Sequence, residues 1–143
     1  MRDSTRTRVN RFTHVHLENW RKFTRMEVDL QRRVFLIGHN ASGKSNFLDV
    51  FRFLQEIVSV GGGFQQAVRK PGGVSNLRSL AARRYPEVVI GVRIGDESAS
   101  PWEYELRFTQ DNRQRPIIKK ERVSLNGTDI LCRPDDKDKG DQE

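Results

Sequence analysis

The alternation of apolar and polar residues near the start of the chain predicts a β-hairpin. Alternation runs through residues 11–17 (RFTHVHL) and returns over residues 26–30 (MEVDL). A period of two residues is typical of strands with one buried face. Residues 18–25 separate the two runs, so we expect the two strands to pair antiparallel.

A buried strand, a glycine-bearing loop and a helix are predicted next. Residues 34–37 (VFLI) form an uninterrupted apolar run, the pattern of a strand buried on both faces. From residue 46 to residue 60, apolar residues recur every three to four positions, which predicts a well-buried helix. Three glycines at 61–63 are expected to end it.

The segment after this helix is basic and rich in turn residues. Residues 64–84 contain Pro71 followed by two glycines. We therefore expect a mobile loop there, with a short helix near residues 77–83.

Strand patterns return after Pro86. Asn126 and Gly127 form a strong hairpin-turn signal, and the residues on both sides of that turn have strand character. The alternating or strand-like segments predict four further strands, at residues 88–94, 102–108, 117–125 and 128–131.

Length and composition fit one folded domain. The chain has 143 residues, of which 35% are hydrophobic and 31% charged. We expect residues 1–10 to be a disordered lead-in, 11–132 the folded domain and 133–143 a disordered charged tail. No apolar run approaches the ~18 residues of a membrane span, the first residues have no apolar signal segment, and Cys132 is the single cysteine. These features predict a cytoplasmic location and no membrane partner.

One motif carries chemistry. Residues 38–45 (GHNASGKS) match G-x-x-x-x-G-K-[S/T]. Its glycines let successive N–H groups point inward as an anion-binding nest. Lys44 is expected to reach the β- and γ-phosphates, and the Ser45 hydroxyl to bind Mg²⁺. A helix that begins beside Lys44 would present its positive end to the same phosphates. The motif predicts a phosphate-binding loop.

The region around this loop resembles a known family. The run over residues 12–60, with its hairpin, loop and helix, resembles the opening of ABC-type ATPases of the SMC, RecF and OLD-like AAA groups. The later strands look like the antiparallel β-subdomain of such ATPases. The resemblance implies a mixed α/β (α+β) fold, a P-loop NTPase half-domain with hairpin, phosphate-loop strand, helix and antiparallel β-subdomain. It also implies ATP and Mg²⁺ as cofactors.

Site residues follow from the resemblance position by position. In this family a basic residue of an N-F-R-x-F element approaches the nucleotide, and residues 19–23 (NWRKF) are similar to it; Arg21 and Lys22 are therefore candidates, against the alternative of an ordinary solvated turn. The expected contacts with the ATP phosphates are Gly38, His39, Asn40, Ala41, Ser42, Gly43, Lys44, Ser45 and Asn46.

Other motifs of the family are missing from this sequence. There is no L-S-G-G signature. The only apolar segment followed by Asp-Glu ends at Asp96 and Glu97, and we interpret it as a hairpin turn rather than a Walker B motif. Nothing singles out a Q-loop glutamine among Gln65, Gln66 and Gln110, and His14 and His16 are expected to be packing or surface residues. Hydrolysis would thus need residues from elsewhere, either because the chain is a truncated or split product or because a partner completes the site.

Charge leaves a second function open. The net charge is +7, and the segment from Arg69 to Arg84 holds five basic and no acidic residues. A solvated basic surface and an anion-binding surface both fit this pattern. As an alternative to an ATPase module, the chain would be a basic nucleic-acid-binding protein with vestigial nucleotide binding. A small P-loop kinase fits poorly, because such kinases resemble chains that begin almost directly with the phosphate-loop strand, and here about 33 residues precede that predicted strand. Expected partners are a second ATPase half or a homodimer partner, and DNA through Arg69, Lys70, Arg78, Arg83 and Arg84.

Overall fold

Six strands form one antiparallel sheet. The computed structural model describes residues 9–80, 86–96 and 98–135. Within them the spatial order of the strands is β2-β1-β3-β4-β5-β6. The strands are β1 (Arg11–Trp20), β2 (Phe23–Asp29), β3 (Val88–Gly95), β4 (Trp102–Gln110), β5 (Pro116–Leu125) and β6 (Thr128–Arg133).

The predicted hairpin and the later strands are confirmed, and they belong to the same sheet. In the hairpin, Val15 lies opposite Val28 of β2. On its other side Val15 lies opposite Val92 of β3. β1 therefore joins the N-terminal hairpin to the β3–β6 meander, and its apolar face continues across the sheet.

In the described part of the chain, three helices cover one face of this sheet. They are α1 (Lys44–Val58), α2 (Phe64–Arg69) and α3 (Val74–Leu77). The predicted long helix is confirmed as α1. The expectation of a loop over 64–84 with a helix near 77–83 is wrong in part, because two short helices occupy 64–77 and α3 ends where the predicted helix would begin; residues 81–85 lie outside the described part. None of the described helices is long and apolar enough to cross a membrane.

The core lies between α1 and the centre of the sheet. Trp20 at the end of β1 is fully buried, and its ring centroid is 5.3 Å from that of Phe53 on α1. Phe53 in turn stacks on Phe108 of β4 at 5.6 Å. Aromatic pairs at these separations add to the apolar area that burial removes from water. This cluster fixes α1, and hence the loop that precedes it, against β1.

The predicted strand at residues 34–37 is wrong for the chain as described. No strand is formed there, and Phe35 and Ile37 are 83% and 93% exposed. A strand needs a neighbour to pair its N–H and C=O groups, and none of the six strands pairs with this segment. A continuous apolar run also needs cover on both faces. The described residues supply neither the pairing edge nor that cover.

Candidate phosphate-binding site

The loop before α1 curls tightly and holds two residues at positive φ. Gly43 has φ +105°, and Ala41 has φ +63°, in the left-handed region that non-glycine residues rarely adopt. The Ser42 N–H donates to the His39 carbonyl at 3.2 Å. The loop is curled so closely that a Cβ at Gly38 would lie 2.6 Å from the Ser42 hydroxyl oxygen. A larger residue at position 38 would require the Ser42 side chain to shift.

The N-terminus of α1 is left open to an acceptor. Gly43 is the N-cap residue, and it offers no side chain to accept from the first N–H groups. The first turn also holds no acidic residue. The first N–H groups of a helix have no partner within the helix and carry its positive end. An anion is the ligand that this end of α1 suits.

The Lys44 ammonium lies at the loop. It donates to the carbonyl of Gly38 and, at 2.7 Å, to the carbonyl of His39. The Ser42 hydroxyl is 3.4 Å from the same nitrogen. Each of these acceptors is neutral, so a phosphate would be a stronger acceptor for this charge.

Ser45 and Asn46 lie in the first turn of α1. Ser45 is exposed, so its hydroxyl is accessible to a metal ion. The Asn46 carbonyl accepts a hydrogen bond from the Trp20 indole N–H at 2.7 Å. Trp20 thereby ties the first turn of α1 to the end of β1.

The two basic residues of the β1–β2 turn lie on different surfaces. The Lys22 ammonium donates to the carbonyl of Ala41 in the loop at 2.5 Å. The Arg21 guanidinium lies 3.5 Å from the Asp49 carboxylate on α1. Of the two candidates, Lys22 contacts the phosphate-binding loop, and Arg21 contacts the side of the helix.

Sequence reasoning missed Phe23, which also contacts the loop. A Cβ at Gly43 would lie 3.1 Å from the Cζ atom of the Phe23 ring. Gly43 is buried although its neighbours 38–42 are exposed. The apolar position in the NWRKF element was the available signal, but the sequence does not reveal that the ring faces the loop.

A cleft of about 290 Å³ opens beside α1, lined partly by the Arg21 side chain. Lys70, one of the basic residues predicted to contact DNA, lines the same cleft and forms an ion pair with Glu56 at 2.6 Å. Arg21 and Arg52 share Asp49 in a similar way. The cleft is lined by charged side chains, and its basic residues form ion pairs with acidic ones.

The remaining basic residues of that prediction are scattered. Arg69 ends α2, and Arg78 follows α3, with a guanidinium nitrogen 3.5 Å from the carbonyl of Pro86. Arg83 and Arg84 lie outside the described residues.

Asp96 has the role expected of a turn residue. Its carboxylate accepts from the N–H and hydroxyl of Ser98 at 2.8 and 2.6 Å and from the N–H of Ala99 at 3.1 Å. β3 and β4 on either side pair antiparallel. The interpretation of this segment as a hairpin turn is confirmed; Glu97 lies outside the described residues.

Histidine and glutamine candidates lie on other surfaces. His14 on β1 contacts Asp29 at 2.6 Å, and His16 contacts Glu18 at 2.9 Å. Gln110 pairs with Ser75 at 3.1 Å. The other two candidates for a Q-loop glutamine, Gln65 and Gln66, both lie on α2.

A family model and several solved structures match this chain. The family model described as "AAA domain, putative AbiEii toxin, Type IV TA system" matches residues 33–143. No curated protein matches the chain. Among solved structures, the chain is similar to the recombination mediator protein RecF in its RecF-ATP structure, with a TM-score of 0.54 and 17% identity over 86% of this chain.

A second solved structure, an SMC ATPase, gives a TM-score of 0.52 and 17% identity over 84% of this chain. At such identity the likeness shows the fold alone. The match covers 29% of the RecF chain and 72% of the SMC chain, so this chain spans less than a third of the length of RecF. The mixed α/β fold with its antiparallel sheet therefore corresponds to part of the RecF and SMC ATPase domains.

Proposed function

Because the chain belongs to the AAA domain family whose model spans residues 33–143, we propose that it is an ATP-binding module of a RecF/SMC-like ATPase. In this proposal residues 38–46 hold the phosphates of Mg-ATP. Lys22 lies near the nucleotide through its contact with the loop. Hydrolysis requires residues that this sequence does not supply.

The observation that carries the proposal is the open N-terminus of α1 next to a lysine charge. Gly43 caps the helix without a side-chain acceptor, and the Lys44 ammonium is held at the loop carbonyls of Gly38 and His39. A triphosphate would accept from the helix N–H groups and from Lys44 together.

The donor set also fits a magnesium ion. Ser45 directly follows Lys44 and has an exposed hydroxyl, the hard oxygen ligand that Mg²⁺ takes beside phosphate oxygens. The ion supplies charge neutralisation at the β- and γ-phosphates when bound. Ser45 would hold it, and Lys44 would bind the phosphates from the loop side.

The exposed apolar segment at 34–37 supports the proposal that another protein chain or domain covers this part of the molecule. It leads directly into the phosphate-binding loop, and Phe35 and Ile37 are almost fully exposed. We propose that a second ATPase half or a second copy covers this segment and brings the missing catalytic residues. SMC ATPases undergo ATP-driven dimerization, which agrees with this proposal.

Calorimetric titration with Mg-ATP tests the proposed function. We expect the wild type to bind, and Lys44→Ala to bind at least about tenfold more weakly, because one charge-assisted contact is lost. Lys119→Ala is the matched control, since Lys119 is exposed on β5. A folded wild type that does not bind Mg-ATP, or equal binding by Lys44→Ala, would contradict the proposal.

Nucleic-acid binding is the second candidate function. Arg69, Lys70 and Arg78 lie at or just after the ends of α2 and α3, and SMC ATPases undergo DNA-stimulated activation. The Lys70–Glu56 pair at 2.6 Å reduces the charge available to DNA. Duplex binding that weakens steeply with salt and is reduced in an Arg69→Ala, Arg78→Ala variant would favour this function. Binding that does not depend on ionic strength would exclude it.

A further inference from the structure

The turn between β1 and β2 contacts the phosphate-binding loop at two adjacent points. The Lys22 ammonium donates to the Ala41 carbonyl. The Phe23 ring packs against Gly43, and a Cβ there would lie 3.1 Å from Cζ. One contact is polar and the other apolar, and they restrain residues two apart in the loop.

Ala41 is the residue of the loop that most needs such a restraint. Its φ of +63° lies in the left-handed region. The Cβ of an L-residue crowds the following carbonyl in this region, so alanine left alone would prefer another conformation. Glycine would adopt the same φ without this cost. A contact that holds the Ala41 peptide therefore determines whether the loop keeps its shape.

The peptide between Ala41 and Ser42 is held at both ends. Its carbonyl accepts from Lys22, and its N–H donates to the His39 carbonyl at 3.2 Å. These two groups point in opposite directions in a planar trans peptide. Loss of the Lys22 contact would leave only the 3.2 Å bond within the loop to oppose rotation of this peptide.

Phe23 restrains the other end of the loop. Gly43 is the N-cap of α1, so its conformation sets where the first N–H groups of the helix point. A larger residue at this position would require the ring to shift by a few tenths of an ångström, and Gly43 is buried. The turn thus restrains both the strained peptide and the start of the helix.

We propose that Lys22 and Phe23 are positioning residues that hold the phosphate-binding loop in its anion-binding conformation before a ligand arrives. The effect of these residues on nucleotide binding rests on the proposed function. Their effect on the shape of the ligand-free loop does not, and it can be measured separately. Lys22 acts through the Ala41 carbonyl, and Phe23 acts through Gly43.

Amide NMR of the ligand-free full chain tests this role. Lys22→Met keeps the length of the side chain and removes the ammonium. We expect the amide resonances of Ala41, Ser42 and Gly43 to shift, while those of β3 and β4 stay in place. Lys22→Arg should restore the wild-type positions, and Lys119→Met, at an exposed lysine on β5, should leave the loop unchanged.

A second measurement extends the test to Phe23 and to binding. Phe23→Ala should shift the Gly43 and Lys44 amides, and Phe23→Leu should shift them less because it keeps an apolar contact. Mg-ATP affinity should fall about tenfold in Lys22→Met and recover in Lys22→Arg. If Lys22→Met weakens binding while the ligand-free loop resonances stay in place, Lys22 contacts the nucleotide directly and the positioning role is overturned. If the wild type fails to bind Mg-ATP but the loop resonances shift as expected, the proposed function fails and the positioning role stands.

Discussion

The Phe23 ring lies against Gly43, so close that a Cβ at Gly43 would stand 3.1 Å from Cζ. The contact joins the β1–β2 turn to the N-cap residue of α1, the helix that follows the loop. A residue of the hairpin therefore lies in tight contact with a motif glycine about twenty positions later, where an added Cβ would require the ring to shift. The backbone conformation of Gly43, with φ +105°, also favours glycine at this position.

Gly43→Ala should be more damaging than a matched glycine substitution elsewhere. Gly61 also has a positive φ, +74°, but a Cβ there would meet nothing within 4 Å. Both substitutions carry the backbone cost of about 1–2 kcal/mol, and only Gly43→Ala also displaces Phe23. Chemical denaturation should show the larger loss for Gly43→Ala, together with lost Mg-ATP binding. Equal losses in the two variants would mean that the Phe23 contact is unimportant.

Trp20→Phe should loosen the start of α1. The substitution keeps an aromatic ring beside Phe53 but removes the donor to the Asn46 carbonyl, a 2.7 Å bond in a buried position. The Asn46 carbonyl keeps its helical donor, the N–H four residues further along α1, so we expect a loss of about 0.5–1.5 kcal/mol of unfolding free energy, the net contribution of one hydrogen bond. Urea denaturation of Trp20→Phe and of Trp102→Phe, at a half-buried site, measures the difference. A smaller loss in Trp20→Phe than in the control would contradict this assignment.

The exposed apolar segment at 34–37 should promote association rather than stabilise the fold. Phe35 and Ile37 are 83% and 93% exposed, so a Phe35→Ser, Ile37→Ser variant should unfold at nearly the wild-type denaturant concentration. Light scattering should show less self-association, because an apolar patch is removed.

The control for that variant is Leu17→Ser, at a fully buried position of β1. It should lower the unfolding free energy by ~3 kcal/mol or more. If the double variant at Phe35 and Ile37 is destabilised as much as this control, the segment is part of the core.

Glu105 on β4 should make the free energy of unfolding depend on pH in the acidic range. Burial raises the pKa of its carboxyl, but the hydrogen bonds from Arg107 and Lys120 outweigh burial and lower it below the usual range. A carboxylate with a lowered folded-state pKa stabilises the fold above its ordinary pKa of about 4.3. This contribution is lost as the pH falls through the lower folded-state value.

A comparison of wild type with Glu105→Gln measures this effect. The wild type should be the more stable of the two near pH 7, and the difference should shrink as the pH falls below about 4. Lys120→Met should raise the pKa of Glu105 in a side-chain NMR titration. A difference in stability that stays constant from about pH 7 to about pH 3 would show that the ion pairs around Glu105 contribute nothing.

Sequence patterns predicted the strands and the long helix because each depends on local periodicity. The hairpin between β1 and β2 and the Asn126–Gly127 turn are short-range features, and both were predicted. The pairing of β1 with β3 joins residues about 75 positions apart, and no local pattern specifies it. The prediction of a strand at 34–37 was wrong for a related reason. An apolar run indicates that a segment needs to be covered by other residues, but it does not indicate whether the described chain supplies them.

The candidate site was predictable as far as the motif reaches. The residues of the loop follow from the G-x-x-x-x-G-K-S spacing. The structure adds their backbone conformations, such as the positive φ of Ala41 and Gly43. The different contacts of Arg21 and Lys22 were not predictable, because no periodic pattern tells which way the side chains of a turn point; Arg21 has φ +48° there. The Phe23 contact was missed because an aromatic residue at a turn is usually interpreted as part of the core.

The central claim is that the loop at 38–45 binds the phosphates of Mg-ATP. An amide NMR titration of the full chain with Mg-ATP locates the ligand directly, since each residue of the loop has its own amide resonance. We expect the largest shifts at Gly43, Lys44 and Ser45, with none in Lys44→Ala. Absent shifts, or shifts confined to the cleft around Arg21 and Lys70, would contradict it.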